Sequence, residues 1–200
     1  MILAKSLFAV YGIDAIYHMS HIDNVASILK YGLLSHDISY GYGLTKRDIS
    51  DISVNSRRTK REPIYGQSIH SYVPFYFNPK NAMLYRRRDI QENIVLFAFD
   101  RELIAEAGVL FTDGNAASNA TRFFCHLEDL SQLAWGCLHA NSWNSYPDGK
   151  RVRMAEVLVP NKVSTRRVQK IICCSLATYQ RVKAMVGESI EVELNCKFYF

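Results

Sequence analysis

The 200-residue sequence predicts an α+β fold, and three observations carry that reading. Most of the apolar runs that read as strands, ENIVLFAFD, VLFTDGNAA, RMAEVLVP, RRVQKIICCS and SIEVELNCKFYF, crowd into residues 92–200. They are not regularly interleaved with helices, as a doubly wound parallel sheet would require. Two turn-rich stretches, 37–68 and 141–150, are too polar and too long for ordinary connections, and long loops inside a compact domain usually serve function.

The elements follow in order. MILAKSLFAVYG is apolar but short, carries one Lys and lacks a small-residue cleavage site, so it reads as the first core element and not as a signal peptide. In AIYHMSHIDNVASILKYGLL, Tyr17, His18 and Met19 end a strand that feeds a helix, in which Ile22, Val25, Ile28 and Leu29 recur at helical spacing. Ser20 is expected to cap that helix with Asp23 as its acidic capping-box partner, and Gly32 to end it with positive φ. Such a junction offers backbone N–H groups to anions. A short helix is expected near 48–58. VPFYF is a short aromatic strand, and NPKNAM supplies turns and a helix start. ENIVLFAFD is a buried strand, residues 101–107 a helical turn, and VLFTDGNAA a strand into a turn. TRFFCHLEDLSQLAWGCL holds a helix, and RMAEVLVP and RRVQKIICCS are strands. LATYQRVKAMVG is a helix ended by Gly187, and from Ile190 to Phe200 apolar and polar residues alternate with period two, the strand signature.

Composition narrows the classes. The chain is 48% hydrophobic and 22% charged, as soluble globular proteins are, and no apolar run approaches the roughly 20 residues of a membrane helix. The expectation is a cytoplasmic protein without a membrane partner, forming one domain over residues 1–200. Five cysteines, an odd number without CxxC spacing, fit reduced core thiols. His18 and His21 have no second cluster to complete a metal site, so no metal is expected. The net charge of +5 is concentrated in RRTKRE (57–62), RRRD (86–89) and STRR (164–167), which favours a polyanionic partner. GYG at 41–43 has the spacing of neither a phosphate loop nor a dinucleotide fingerprint, GxSxG is absent, and nothing marks a cysteine as activated.

Glu156 is the informative residue. It sits alone in an apolar strand, where an unpaired carboxylate is costly, so it is paired, at an edge, or employed. The other carboxylate in a comparable setting is Asp113. Taken with His18 at a strand–helix junction, a basic loop and an aromatic box, the set suits a dinucleotide. Backbone N–H groups and Arg hold a diphosphate, aromatic rings stack on a flat leaving base, and a carboxylate holds ribose hydroxyls and stabilises positive charge at C1′.

Four blocks in order, YHMSHIDNVASILKYGL, SYVPFYFNPKNAMLY, FTDGNAASNATRF and RMAEVLV, resemble the DarT family of bacterial DNA ADP-ribosyltransferase toxins over residues 16–160. The resemblance implies an ADP-ribosyltransferase fold, a split and mostly antiparallel sheet with surrounding helices and an NAD cleft. It implies transfer of ADP-ribose from NAD to a base of single-stranded DNA, usually thymine, with guanine in a sister branch, and an antitoxin, DarG, with a macrodomain. Other acceptors, protein or RNA, and a non-catalytic nucleic-acid-binding module are the alternatives. Carried over residue by residue, Glu156 is the catalytic Glu, and Arg57 and Arg58 both fit the catalytic Arg. His18 and Ser20 match NAD-contacting positions, with Ser in place of the common Thr, and Asn24 faces the same cleft. Tyr72, Phe75 or Tyr76 packs against the nicotinamide. Asn115 stands where some relatives carry His. The loop of residues 112–153, with Arg122, Trp143, Tyr146, Lys150, Arg151 and Arg153, is expected to hold DNA by base stacking and phosphate contacts.

Overall fold

The computed structural model describes residues 2–200; Met1, the first residue of the predicted N-terminal core element, lies outside them. In chain order the elements are α1 (Ile2–Val10), β1 (Ala15–His21), α2 (Val25–Tyr31), β2 (Leu33–Leu34), α3 (His36–Gly41), α4 (Ile52–Arg57), β3 (Tyr72–Tyr76), α5 (Ala82–Arg86) and β4 (Ile94–Asp100). There follow β5 (Leu110–Thr112), β6 (Phe123–Phe124), α6 (Trp135–His139), α7 (Gly149–Val152), β7 (Glu156–Pro160), β8 (Lys162–Val163), β9 (Val168–Cys173), α8 (Leu176–Val186) and β10 (Glu191–Leu194).

Eight strands form one sheet in the order β10-β9-β4-β1-β3-β7-β5-β6, and β2 and β8 pair separately. The β9–β10 pair is parallel and the other neighbours are antiparallel. The sheet is split in its middle. β1 runs against β4 from Ala15–Asp100 to His21–Ile94, and β3 against β7 from Tyr72–Pro160 to Tyr76–Glu156. Between β1 and β3 the register holds one pair, Tyr17 with Tyr76, beyond which the strands diverge. Pro74 sits at this divergence. It has no N–H to offer a ladder, and a gap is where that lack costs nothing. The expected α+β class and split antiparallel sheet are therefore present.

One face of the sheet packs Ile16, Val73, Phe75, Phe97, Phe99, Val157 and Val159 into the main core with α1, α2 and α8. Phe8 of α1 is fully buried there, so the N-terminal segment is a core element as expected. Gly32 ends α2 at φ 86°, and a Cβ there would press on the Val163 carbonyl and the Lys162 side chain.

Three local expectations are corrected. Ser20 does not cap the helix; it lies inside β1, and His21 accepts from the Asp23 N–H at the head of a short 3-10 turn, Ile22–Asn24. The helix expected within residues 121–138 is confined to the short α6, and a two-residue strand and a 3-10 turn (Leu127–Gln132) fill the stretch before it. The alternating run 190–200 stays in the sheet only as β10, then turns out through Cys196–Phe198, because Asn195 accepts from the Lys197 N–H and the Tyr199 hydroxyl anchors on the Ile94 and Ile172 carbonyls.

Candidate active site

The divergence of β1 from β3 opens a cleft of about 420 Å³. His18, Ser20 and Asn24 line one side, Tyr72, Pro74 and Tyr76 the other. The segment 44–51 and α4 close over it, and α5 and the 113–118 loop meet at its mouth with Lys150 and Arg151.

His18 bridges the gap. Its Nδ1 lies 2.8 Å from the Pro74 carbonyl, which accepts only, so Nδ1 carries the proton and Nε2 is left as an acceptor. Burial lowers its pKa to about 4, so the ring is neutral at pH 7. Ser20 lines the same wall and accepts from the Asn24 amide at 3.2 Å. Asn24 is consumed internally. Its oxygen accepts from the Lys46 and Arg47 N–H groups at 2.9 and 3.0 Å, and its nitrogen donates to the Arg47 carbonyl at 2.7 Å. It therefore positions the 44–48 segment, and with it Arg47, over the cleft. A lone Asn downstream of a strand gave no sign of that role.

Strand alternation sorts the aromatic box. Tyr72 and Tyr76 reach the cleft, whereas Phe75 points to the opposite face, fully buried against Phe99 and edge-on to His18. Phe75 is therefore core, correcting its expected place beside the dinucleotide. The Tyr72 hydroxyl turns aside to donate to Glu62 at 3.0 Å. Glu62 is a second buried carboxylate, which sequence reading missed. It accepts the N–H groups of Ile64, Tyr65 and Gln67, and although burial raises its pKa, these bonds hold it below the usual range. Its signal was an acid opening a Pro63–Gly66 turn.

Glu156 lies opposite Tyr76 on the cleft-facing side of β7 but is 0% exposed. Its carboxylate accepts from Arg58 Nη1 at 2.9 and 3.2 Å and from the Ala116 N–H at 2.9 Å, and its own N–H donates to Thr112 Oγ1 at 3.0 Å. Arg58, whose side chain is 12% exposed, lines the cleft and lies over the acid, and its Nη2 is buried without a hydrogen-bond partner. Arg57 lies on the exposed rim. Lys60 fastens this arginine segment to the 113–118 loop by donating to the Ser118 carbonyl at 2.9 Å. An orphaned guanidinium nitrogen beside a cleft rimmed by Arg47, Arg57, Lys150 and Arg151 fits a dinucleotide's diphosphate.

The expected DNA residues divide. Arg151 lines the cleft mouth and is paired with Asp113 and Asp148. Arg122 is exposed, pairs with Asp113 at 2.8 Å and lies over Phe124. Asp113 is thus a strut between two arginines, and although burial raises its pKa, they hold it below its usual value. Tyr146 is exposed, and Trp143 is half-buried against Tyr85 and Phe200. Arg153 is corrected. It is 2% exposed, and its Nε and Nη1 donate to the carbonyls of Lys80, Cys137, Leu138 and Ala140, which ties the guanidinium inward. Asn115 faces the cleft, its oxygen accepting from the Ala117 N–H. Among the described residues, His36, Asp37 and His70 hold potential ligand atoms within 4.8 Å of one another. The two imidazoles are stacked at 4.0 Å and 18°, so their in-plane lone pairs run side by side and do not converge on an ion.

The family model described as "ssDNA thymidine ADP-ribosyltransferase, DarT" matches residues 17–200. The chain belongs to the DarT family. A DNA ADP-ribosyl transferase of Thermus sp. (strain 2.9) is 35% identical over 72% of this chain and 73% of its own. Solved structures of Thermus sp. 2.9 DarT are 28% identical; the complex with ADP-ribosylated single-stranded DNA has a TM-score of 0.85 over 94% of this chain and 97% of that one, and the complex with NAD+ 0.81 over 94% and 98%. A Thermosipho africanus DNA ADP-ribosyl transferase–DNA ADP-ribosyl glycohydrolase fusion protein is 29% identical over 92% of this chain, which spans 49% of the fusion. As a DarT-family member the chain has the ADP-ribosyltransferase fold and is an NAD-dependent DNA ADP-ribosyltransferase, with NAD as substrate. No helix among the described residues is long and apolar enough to cross a membrane.

Proposed function

We propose that this chain, as one domain, transfers ADP-ribose from NAD to a thymine of single-stranded DNA, releasing nicotinamide. It acts in the cytoplasm as the toxin of a pair whose antitoxin is the macrodomain protein DarG. The observation that carries the site assignment is the Arg58–Glu156 pair beneath the split, with Arg58 lining a cation-rimmed cleft and its Nη2 buried and unsatisfied. The family description names thymidine, and the fusion relative joins a transferase to a glycohydrolase, which supports a partner that removes the mark.

In this reading Arg58 exchanges its bond with Glu156 for a phosphate of NAD and so uncovers the carboxylate. Glu156, held by the Ala116 N–H, then accepts from ribose hydroxyls and stabilises positive charge at C1′ as its bond to the nicotinamide nitrogen breaks. His18 Nε2 and Ser20 hold polar atoms of the dinucleotide, and Tyr72 and Tyr76 wall its flat end. Thymine N3 bonds to C1′ and its proton passes to solvent; Arg151 and Lys150 at the mouth stabilise charge on the acceptor. Arg122, Trp143 and Tyr146 extend the DNA track.

Labelled NAD incubated with single-stranded DNA, RNA or protein tests this. Label on DNA, with modified thymidine in the nucleoside digest, is the expected result; modified guanosine corrects the base, and label only on RNA or protein refutes the acceptor. Glu156→Gln should abolish transfer and the toxicity of expression in bacteria; near-normal transfer by this variant removes the role of Glu156.

A further inference from the structure

We propose that Tyr85, Trp143 and Phe200 form a stacking subsite for a nucleobase flanking the modified one, a proposal that rests on the single-stranded DNA reading above. The ring centroids of Tyr85 lie 5.1 Å from Phe200 and 6.2 Å from Trp143, and those of Trp143 and Phe200 are 5.8 Å apart. The pairs are nearly perpendicular, at 82–85°. Edge-to-face contact fixes rings without covering all their faces. Tyr85 is 45% and Phe200 40% exposed, a grouping of large rings that folding alone does not require. Phe200 is fastened by Gln91, which accepts from its N–H at 3.0 Å and donates to its carbonyl.

Charge selects the occupant. The Arg88 guanidinium lies 4.3 Å from the Tyr85 centroid, and Lys80 Nζ 5.2 Å from that of Phe200. Each cation lies over the face of its ring, so a nucleotide that stacks its base there displaces the cation from the face onto its phosphate. Position agrees with charge. Tyr85 sits in α5 between Met83 and Arg86, which both line the cleft. On the other side, Trp143 is pinned to α7, because a Cβ at Gly149 would run into the Trp143 carbonyl, and the next residue, Lys150, lines the cleft. A strand whose acceptor base enters between α5 and α7 therefore continues across the three rings.

Transfer to fluorescein-labelled oligothymidylates of three to fifteen nucleotides tests the subsite. With the fifteen-mer, Tyr85→Ala and Phe200→Ala should raise KM on the order of 5–150-fold, the range of one lost base stack, with kcat nearly constant. Tyr85→Phe, which keeps the ring, should restore the wild-type KM. An abasic residue at one position beside the acceptor should cost the wild type the same factor and Tyr85→Ala nothing further. Unchanged KM in both alanine variants, failure of Tyr85→Phe to rescue, or equal abasic penalties in wild type and Tyr85→Ala at every position overturns the proposal. If the wild type labels no oligonucleotide at all, the DNA reading itself has failed, a result distinct from any of these.

Discussion

The bond between Arg58 and Glu156 can be measured. Glu156 is fully buried and Arg58 nearly so, and breaking a buried ion pair by removing one partner costs about 3–5 kcal/mol, because the survivor is left uncompensated. Arg58→Ala leaves a dry carboxylate with one remaining protein donor to its side chain, the Ala116 N–H. Glu156→Ala leaves a guanidinium that already has one unsatisfied nitrogen, and it orphans Ala116 N–H as well, for about 1–3 kcal/mol. Glu156→Ala should therefore destabilise at least as much as Arg58→Ala. The double variant removes both stranded charges, so its cost should fall below the sum of the singles by about 1–3 kcal/mol. At about 2–4 °C per kcal/mol for a chain of this size, Arg58→Ala should lower Tm by roughly 6–20 °C and Glu156→Ala by at least as much. Urea unfolding followed by circular dichroism gives the three values, and transfer assays on the same samples separate lost chemistry from lost fold. Additivity within about 0.5 kcal/mol would mean that the two groups are not coupled, and the assignment of the cleft floor would fall with that coupling.

Three further outcomes follow from the same geometry. Asn24→Ala removes the bonds that hold residues 46 and 47 over the cleft, so KM for NAD should rise several-fold while Tm drops by only a few degrees, and protease cleavage should appear near residue 46; an unchanged KM would dissociate this segment from the dinucleotide. Arg153→Lys cannot satisfy four carbonyls and should destabilise by about 2–4 kcal/mol without altering the salt dependence of DNA binding; a shallower salt slope would place Arg153 on phosphate after all. Burial lowers His18 from 6.5 to about 4, so between those values the unfolded chain holds the extra proton, and stability falls as pH drops through that window. His18→Asn should flatten the stability curve between pH 6 and 5 by up to about 1.4 kcal/mol per pH unit; an unchanged slope would show that His18 titrates normally.

The residues most legible in advance were those whose chemistry is anomalous for their local pattern. Glu156 stood out because an acid inside EVLVP has no cheap structural excuse. His18, Ser20 and Tyr76 fell in segments whose alternation and motif both pointed to one place. Phe75 shows the limit of that reasoning. VPFYF places alternate rings on opposite faces, but the pattern does not say which face meets the cleft until β3 is paired with β7 and split from β1. Arg153 misled for a related reason. A basic residue in a polar loop reads as exposed, and only the folding of α6 beneath it supplied the carbonyls that bury its charge.

The amino-acid order alone determined the α+β class, the strand that carries Glu156, the basic segment at 57–62 and the family motifs, because each is written within a few residues as periodicity or an out-of-place charge. Tertiary structure decided which of two adjacent arginines reaches the acid, that Asn24 ties down the segment over the cleft, and that Glu62 is a buried anchor. Those outcomes depend on bonds between residues dozens of positions apart, such as Arg58 to Glu156, and a distance between distant chain segments is set only when the sheet closes everywhere except at the gap between β1 and β3.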